Sequence, residues 1–110
     1  MGQGFRDISP KQLQGWLEAD DGSVFLLDVR ESHELELASL DAAVHVPMRE
    51  VVGRLDEIPT DRRVVVMCHH GGRSAMVCRA MASKGRERLY NLDGGIDKWS
   101  VQIDPEVGRY

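Results

Sequence analysis

Apolar positions along the chain alternate between short β-type runs and helical patterns. The run Val64–Met67 is typical of a buried strand, whereas Leu13, Trp16 and Leu17 recur at the spacing of one helix face. The predicted strands are Phe5–Ile8, Val24–Leu27, Val44–Val46, Val64–Met67 and Leu89–Leu92. The predicted helices are Lys11–Ala19, Glu31–Ser39, Arg49–Ile58, Ser74–Ala82 and Ile96–Ser100. This alternation predicts an α/β fold with a mostly parallel five-stranded sheet and helices on both faces.

Length and charge exclude several classes of function. The chain has 110 residues, which fits one domain with one core, so we expect a single domain over residues 1–110. The formal net charge of −4 disfavours a general nucleic-acid or membrane surface. No apolar run approaches the ~20 residues that span a bilayer, and the start of the chain lacks a signal-peptide pattern. Two cysteines are too few for a disulfide scaffold, so we expect a reducing cytoplasm, while the oligomeric state stays open.

A loop of unusual composition joins the strand Val64–Met67 to the following helix. It reads Cys68-His69-His70-Gly71-Gly72-Arg73-Ser74. A loop that leads from a strand into a helix places unpaired N–H groups and the positive helix end near its first residue. Ser74 is suited to cap the helix, and these groups favour the thiolate form of Cys68. Arg73 follows a Gly-Gly pair, so its guanidinium is expected to turn over the same concavity and bind an anionic substrate.

Each of these residues also has a purely structural interpretation. A cysteine is often only a small buried hydrophobic residue, and a Gly-Gly pair is often only a turn. The combination of cysteine, two glycines, arginine and a helix cap in one short window favours a functional loop instead.

The segment Cys68–Ser74 resembles the active loop of single-domain rhodaneses. That loop consists of a cysteine, four residues and an arginine, commonly followed by serine or threonine. Further segments resemble the family's other signatures: Leu26–Glu31 with Glu34, Ala43–Pro47, and Asn91–Trp99. Together they cover nearly the whole chain in family order. Ala42 stands where the family usually has glycine, which affects only a local turn.

The resemblance implies a rhodanese-like three-layer fold and a sulfurtransferase that carries sulfane sulfur as a persulfide on Cys68. Thiosulfate or a related sulfane-sulfur donor would supply the sulfur, and cyanide, a small thiol or a sulfur-acceptor protein would remove it. The tail 99–110 is similar to tails of rhodanese domains fused to ubiquitin-like activating enzymes. Such covalent chemistry needs no metal or organic cofactor. The residues expected to bind the donor and cradle the persulfide are His69, His70, Gly71, Gly72, Arg73 and Ser74.

Other polar residues are predicted to support the site. The resemblance implies that Asp28 braces backbone amides and that Arg30 pairs with an acid such as Glu34. His69 and His70 could ligate a metal or act as bases. Because adjacent side chains in a tight loop diverge and no further ligands appear at useful spacing, we expect no zinc site.

Two alternative functions fit parts of the same pattern. A rhodanese-fold phosphatase or arsenate reductase has five residues between cysteine and arginine, whereas this chain has four, which predicts a cradle suited to sulfur and too tight for phosphate. A non-catalytic rhodanese binding module typically lacks the loop cysteine, which is present here as Cys68. Cys78 is interpreted as a packing residue rather than a second working thiol.

Overall fold

The computed structural model describes residues 4–110, and these residues form one five-stranded sheet. The strands are β1 (Arg6–Ile8), β2 (Val24–Asp28), β3 (Ala43–His45), β4 (Arg63–Met67) and β5 (Leu89–Leu92). Their order across the sheet is β1-β5-β4-β2-β3, and every neighbouring pair is parallel. The predicted α/β fold is therefore confirmed, and each strand lies within one residue of its predicted bounds.

Helices connect the strands and cover the sheet. The α-helices are α1 (Pro10–Ala19), α2 (Ser32–Leu35), α3 (Gly72–Ser83) and α4 (Gly95–Gln102). Short 3₁₀ helices occupy Met48–Glu50, Val52–Glu57 and Pro105–Val107. Helix α1 begins with a capping box, in which the Gln12 N–H donates to Ser9 Oγ at 3.1 Å and the Ser9 N–H donates to Gln12 Oε1 at 2.9 Å. None of the helices in residues 4–110 is long and apolar enough to cross a membrane.

Two hydrophobic clusters lie on opposite faces of the sheet because the side chains of β4 alternate between them. The cluster under α3 includes Val64, Val66, Val77 and Met81. The cluster under α1 and α4 includes Leu13, Val65, Met67 and Ile96. Strand β4 is thus buried on both sides, which explains its continuous apolar sequence.

Two predicted helices are wrong in extent. The predicted helix Glu31–Ser39 shortens to α2, and beyond its end the carbonyl of Ala38 accepts from the buried Arg30 Nη2 at 2.8 Å. The predicted helix Arg49–Ile58 becomes two 3₁₀ segments, with Arg54 at φ −126° and ψ 27°, outside helical values. Gly53, a poor helix former, precedes that residue.

The carboxyl ends of the parallel strands meet at one edge of the sheet. Asp28 ends β2, Cys68 directly follows β4, and Asn91 is the second-to-last residue of β5. These three strands are neighbours in the sheet, and ligands of parallel α/β folds bind at this edge.

Candidate active site

Two backbone N–H groups and one hydroxyl oxygen surround the sulfur of Cys68, which is 1% exposed. The Gly71 N–H donates to Sγ at 3.1 Å, and the Ser74 N–H donates at 3.4 Å. Ser74 Oγ lies 3.3 Å from the same sulfur. Both N–H groups belong to the start of α3, so the positive end of the helix also points at the sulfur. This environment stabilises negative charge on a sulfur atom at this position.

The loop closes this tightly because of Gly71. Its φ of 106° lies in the left-handed region, which glycine adopts without steric cost. A Cβ at Gly71 would also lie 3.4 Å from the Gly94 nitrogen. Gly71 is the N-cap of α3, so the prediction that Ser74 caps this helix is wrong. Ser74 is instead buried in the first turn, where its side chain faces Cys68 and Asn91.

Helix α4 supports the loop from the other side. The N–H of Ile96 donates to the Cys68 carbonyl at 2.9 Å, and the N–H of Asp97 donates to the His69 carbonyl at 3.1 Å. Gly95 permits this approach, because a Cβ there would collide with both of those carbonyls. Two helix N-termini therefore hold the backbone of the loop.

Asn91 connects the sulfur site to β1. Ser74 Oγ donates to Asn91 Oδ1, and Asn91 Nδ2 donates to the Gly71 carbonyl at 3.2 Å and to Asp7 Oδ1 at 3.0 Å. Because Asn91 receives the hydroxyl hydrogen, Ser74 Oγ presents its lone pairs to Cys68. The sequence analysis did not select Asn91 as a site residue, although a lone amide in the buried end of a strand was an available signal.

Arg73 makes a two-pronged ion pair with Glu34. Its Nη1 and Nη2 donate to the two carboxylate oxygens at 2.6 and 2.8 Å. Hydrogen bonds from Arg73 hold the pKa of Glu34 far below its usual range, and the carboxylate in turn raises the pKa of Arg73. The side chain of Arg73 is still 36% exposed. The sequence analysis expected this guanidinium to turn over the concavity and bind an anionic substrate. In the structure it is held in place by Glu34.

Arg30 pairs with an acid, as expected, but the acid is Asp28 rather than Glu34. Arg30 is completely buried, and its Nη2 lies 2.7 Å from Asp28 Oδ2 while its Nε lies 3.0 Å from Oδ1. Asp28 also accepts the Arg30 backbone N–H at 3.1 Å, which agrees with its predicted role as a backbone brace. The Glu34 carboxylate is bound by Arg73 instead, while Arg30 Nη1 donates only to the Glu34 carbonyl, at 3.4 Å.

Tyr110 links these two ion pairs and was missed by the sequence analysis. Its hydroxyl accepts from Arg30 Nη1 at 2.9 Å and donates to Glu34 Oε2 at 2.7 Å. Its ring stacks on His69 with 3.9 Å between ring centroids and 7° between ring planes. Burial raises the pKa of Tyr110. No local pattern predicts these contacts, because Tyr110 is separated from Arg30 by 80 positions in sequence.

The two loop histidines lie together, so the prediction that they diverge is wrong. The ring centroids of His69 and His70 are 3.8 Å apart, and His70 Nε2 lies 3.9 Å from Asp97 Oδ2. One ligand atom from each of these three residues lies within 4.8 Å of the others, so the group could hold a metal ion. Asp97 is already bound by Arg109 Nε at 2.8 Å. Burial lowers the pKa of His69.

Cys78 lies in the hydrophobic cluster under α3. It is fully buried, and its Sγ donates to the Tyr90 carbonyl at 3.6 Å. Burial raises its pKa to about 12. A thiol in this environment is a poor nucleophile, which agrees with its interpretation as a packing residue.

Sequence comparison relates the chain to rhodanese-like domains and to sulfurtransferases. A sequence profile described as "Rhodanese-like domain" matches residues 9–102. A sulfurtransferase of Allochromatium vinosum is 38% identical over 74% of this chain and 77% of its own length. The thiosulfate sulfurtransferase GlpE of Actinobacillus pleuropneumoniae is 33% identical over 90% of each chain. The Bacillus subtilis protein YrkF is 36% identical over 89% of this chain, but the chain spans only 52% of YrkF.

A solved structure agrees with the sequence matches. The crystal structure of a rhodanese-related protein from Thermoplasma volcanium superposes with a TM-score of 0.79 at 26% sequence identity. The superposition covers 89% of this chain and 93% of that one. The predicted three-layer architecture is therefore confirmed.

Proposed function

The chain belongs to the rhodanese-like domain family and is related to its sulfurtransferases, and from this premise we propose that it transfers sulfane sulfur through a persulfide on Cys68. Thiosulfate or a related donor supplies the sulfur, and cyanide, a small thiol or a sulfur-acceptor protein takes it. The observation that carries the proposal is the set of donors on Cys68 Sγ, with N–H groups at 3.1 and 3.4 Å.

The first half-reaction loads the enzyme. The Cys68 thiolate attacks the outer sulfur of thiosulfate, a new S–S bond forms, the S–S bond of thiosulfate breaks, and sulfite leaves with the bonding pair. The persulfide that results carries its negative charge on the terminal sulfur. Preorganised backbone N–H groups of the loop stabilise that charge without reorganising solvent.

The second half-reaction returns the enzyme to its starting state. A nucleophile such as cyanide attacks the terminal sulfur, the persulfide bond breaks, and the bonding pair returns to the Cys68 thiolate. With cyanide the product is thiocyanate. The two steps exchange substrates one after the other, so ping-pong kinetics are expected, and the chemistry consumes no cofactor.

Arg73 is suited to bind the anionic end of the sulfur donor even while its guanidinium is paired with Glu34. A guanidinium has five N–H donors, and Glu34 takes one from each terminal nitrogen, so three stay available. The pair with Glu34 fixes the direction of the remaining donors, and a fixed donor loses less entropy when it binds. Arg73 thus acts as a rigid substrate contact in this proposal.

The need for a reduced Cys68 thiol indicates the compartment in which the reaction takes place. A working cysteine requires a reducing environment, so we place the reaction in the cytoplasm, within one domain over residues 1–110. Asp28 and Arg30 act as structural support, because their ion pair is joined through Tyr110 to the Glu34 carboxylate that holds Arg73, and His69 and His70 form the rim of the site. No metal is part of the proposed reaction.

The proposal is tested by thiosulfate:cyanide sulfurtransfer, measured as thiocyanate formation. Cys68→Ser is expected to abolish turnover, because an alcohol does not form a persulfide. Cys78→Ser is the matched control, since its hydroxyl can donate to the same Tyr90 carbonyl, and it is expected to keep most of the activity. Hydrolysis of an aryl phosphate by the unmodified protein, with no thiocyanate formed, would replace the proposal with the phosphatase alternative.

A further inference from the structure

Four arginines gather at the amino edge of the sheet, at the end opposite Cys68. Arg6 begins β1, Arg63 begins β4, and Arg88 directly precedes β5, while Arg62 precedes Arg63 in the chain. The strands β1, β5 and β4 are neighbours in this order. Because neighbouring strands lie about 4.8 Å apart, these backbone positions form a row that spans about 10 Å.

The arginines line two adjoining cavities. A cavity of about 720 Å³ is bordered by Arg6 and Arg88, and a cavity of about 370 Å³ is bordered by Arg62, Arg63 and Arg88. Arg88 and Tyr90 border both cavities, so the two cavities adjoin at these residues, and together we call them the cleft. Volumes of this size are typical of sites for small molecules.

The cleft carries unbalanced positive charge. None of the four arginines forms an ion pair with any residue in the range 4–110. The carboxylates that border the cleft are Asp61 and Glu87, so the guanidinium groups outnumber them by four to two. The whole chain is negative, with a formal charge of −4, so this positive charge is a local feature of the cleft. Such a concavity attracts small anions.

Aromatic rings hold two of the guanidinium groups. The guanidinium carbon of Arg63 lies 4.2 Å from the ring centroid of Trp16, and that of Arg62 lies 5.4 Å from the centroid of Phe25. The ring of Trp16 also packs edge-on against Tyr90, with 5.1 Å between centroids. A guanidinium held at an aromatic ring keeps its N–H groups available, and their fork matches the oxygens of a phosphate.

Arg88 occupies an unusual backbone conformation. Its φ of 58° lies in the left-handed region, which side chains other than glycine seldom adopt. Its carbonyl accepts from the Val64 N–H at 2.9 Å, and its Nη1 donates to the Asp61 carbonyl at 3.3 Å. Strained backbone of this kind concentrates at binding sites. The conformation is independent of the charge pattern, and Arg88 borders both cavities.

We infer that this cleft is a second ligand site, which binds a small phosphate ester through Arg6, Arg63 and Arg88. The site lies at the opposite edge of the sheet from Cys68, so it does not depend on the proposed sulfur transfer. The phosphate group is the shared chemistry of the ligands that fit. A nucleotide would add contacts between its base and Tyr90, whereas inorganic pyrophosphate would bind through charge alone.

The test is a titration of the ¹⁵N-labelled protein with pyrophosphate and, separately, with ADP, followed by amide chemical shifts. Binding is expected to shift the amides of residues 62–63 and 88–90 and to weaken with added salt. Tighter binding of ADP than of pyrophosphate identifies a nucleotide, and equal binding identifies a ligand read by its phosphates. Absence of binding at millimolar concentration of both probes would overturn the inference, as would shifts confined to residues 68–74.

The most informative variant is Arg88→Gly. Glycine adopts the φ of 58° without strain, so this variant keeps the backbone while removing the central guanidinium. It is expected to weaken pyrophosphate binding by roughly tenfold or more, as the loss of a charge-assisted hydrogen bond predicts. Arg62→Gln is a second variant that removes no backbone contact, and it is expected to weaken binding less.

The matched control is Arg49→Gln, which removes the same charge at a distant position. Arg49 is exposed and pairs with Glu31 at 2.7 Å, outside the cleft. Its loss is expected to leave pyrophosphate affinity unchanged. Equal weakening by Arg49→Gln and Arg88→Gly would show that only the overall charge matters, and it would overturn the assignment of the site.

Discussion

At the carboxyl edge of the sheet, the guanidinium groups of Arg30 and Arg73 each hold an internal carboxylate through two nitrogens. At the amino edge, Arg6, Arg63 and Arg88 hold no carboxylate among residues 4–110. Among the residues that the structure describes, arginine side chains are therefore paired with carboxylates at the carboxyl edge of the sheet and have no carboxylate partner at the amino edge.

Burial explains the difference. Arg30 is completely buried, and a buried charge without a partner is strongly unfavourable, so the fold must supply Asp28. Arginines at the amino edge reach solvent, which stabilises an unpaired charge. Paired arginines fix the shape of the sulfur site, while the charge that faces Cys68 Sγ comes from backbone N–H groups. Unpaired arginines keep their charge available for a ligand.

The largest expected effect comes from removing a partner at the carboxyl edge. Asp28→Asn keeps the shape of the side chain but leaves the buried Arg30 without a negative charge. The free energy of unfolding is expected to fall by about 3 kcal/mol or more. Urea denaturation measures this change, and a loss under about 1 kcal/mol would show that Arg30 does not depend on its partner.

A smaller effect is expected at Glu34, together with a change in pH dependence. Arg73 lowers the pKa of Glu34 in the folded state, so their attraction stabilises the protein above the ordinary pKa of glutamate and is lost as pH falls towards the lowered value. Because Arg73 is partly exposed, Glu34→Gln is expected to cost about 1–2 kcal/mol at pH 7. The variant should also lose less stability than the unmodified protein between about pH 4 and pH 2. Parallel stability curves for the two proteins over this range would contradict the assignment.

Tyr110→Phe removes the hydroxyl that joins the two ion pairs but keeps the ring that stacks on His69. The expected cost is about 1 kcal/mol, since Arg30 Nη1 keeps only its longer contact of 3.4 Å with the Glu34 carbonyl. The double variant Tyr110→Phe, Glu34→Gln tests whether the Tyr110 hydroxyl and the Glu34 carboxylate are energetically coupled. Strictly additive losses would show that the hydroxyl and the carboxylate act independently.

The smallest effect is expected at the amino edge. Arg62→Gln removes a guanidinium with no ion-pair partner in the described part of the chain, so the free energy of unfolding is expected to change by less than about 0.5 kcal/mol. A loss as large as that of Glu34→Gln would remove the distinction between the two edges. The same denaturation series measures both variants.

Local patterns predicted most of the fold. The apolar run of β4 and the motif from Cys68 to Ser74 are contiguous in sequence, so the strand and the loop were both found. The cap of α3 was assigned to Ser74 because serine is a common capping residue, but the left-handed Gly71 caps the helix three residues earlier than expected. The helix predicted at Arg49–Ile58 failed because Gly53 and Arg54 interrupt it.

Long-range side-chain contacts were not predictable in the same way. Arg73 and Glu34 are separated by 39 positions, and Tyr110 and Glu34 by 76, so periodicity and spacing contain no information about these pairs. The arginines of the amino edge come from three separate strand starts, and only the strand order β1-β5-β4 brings them together. The roles of the loop residues in catalysis stay predictions.

Intact-mass spectrometry after incubation with thiosulfate tests the central claim, the Cys68 persulfide, most directly. The unmodified protein and Cys78→Ser are each expected to gain the mass of one sulfur atom, to release sulfite in equal amount, and to return to the starting mass with cyanide. Cys68→Ser is expected to gain nothing. Sulfur loading of Cys68→Ser, or a folded protein that gains no sulfur while Cys68 is intact, would contradict the account.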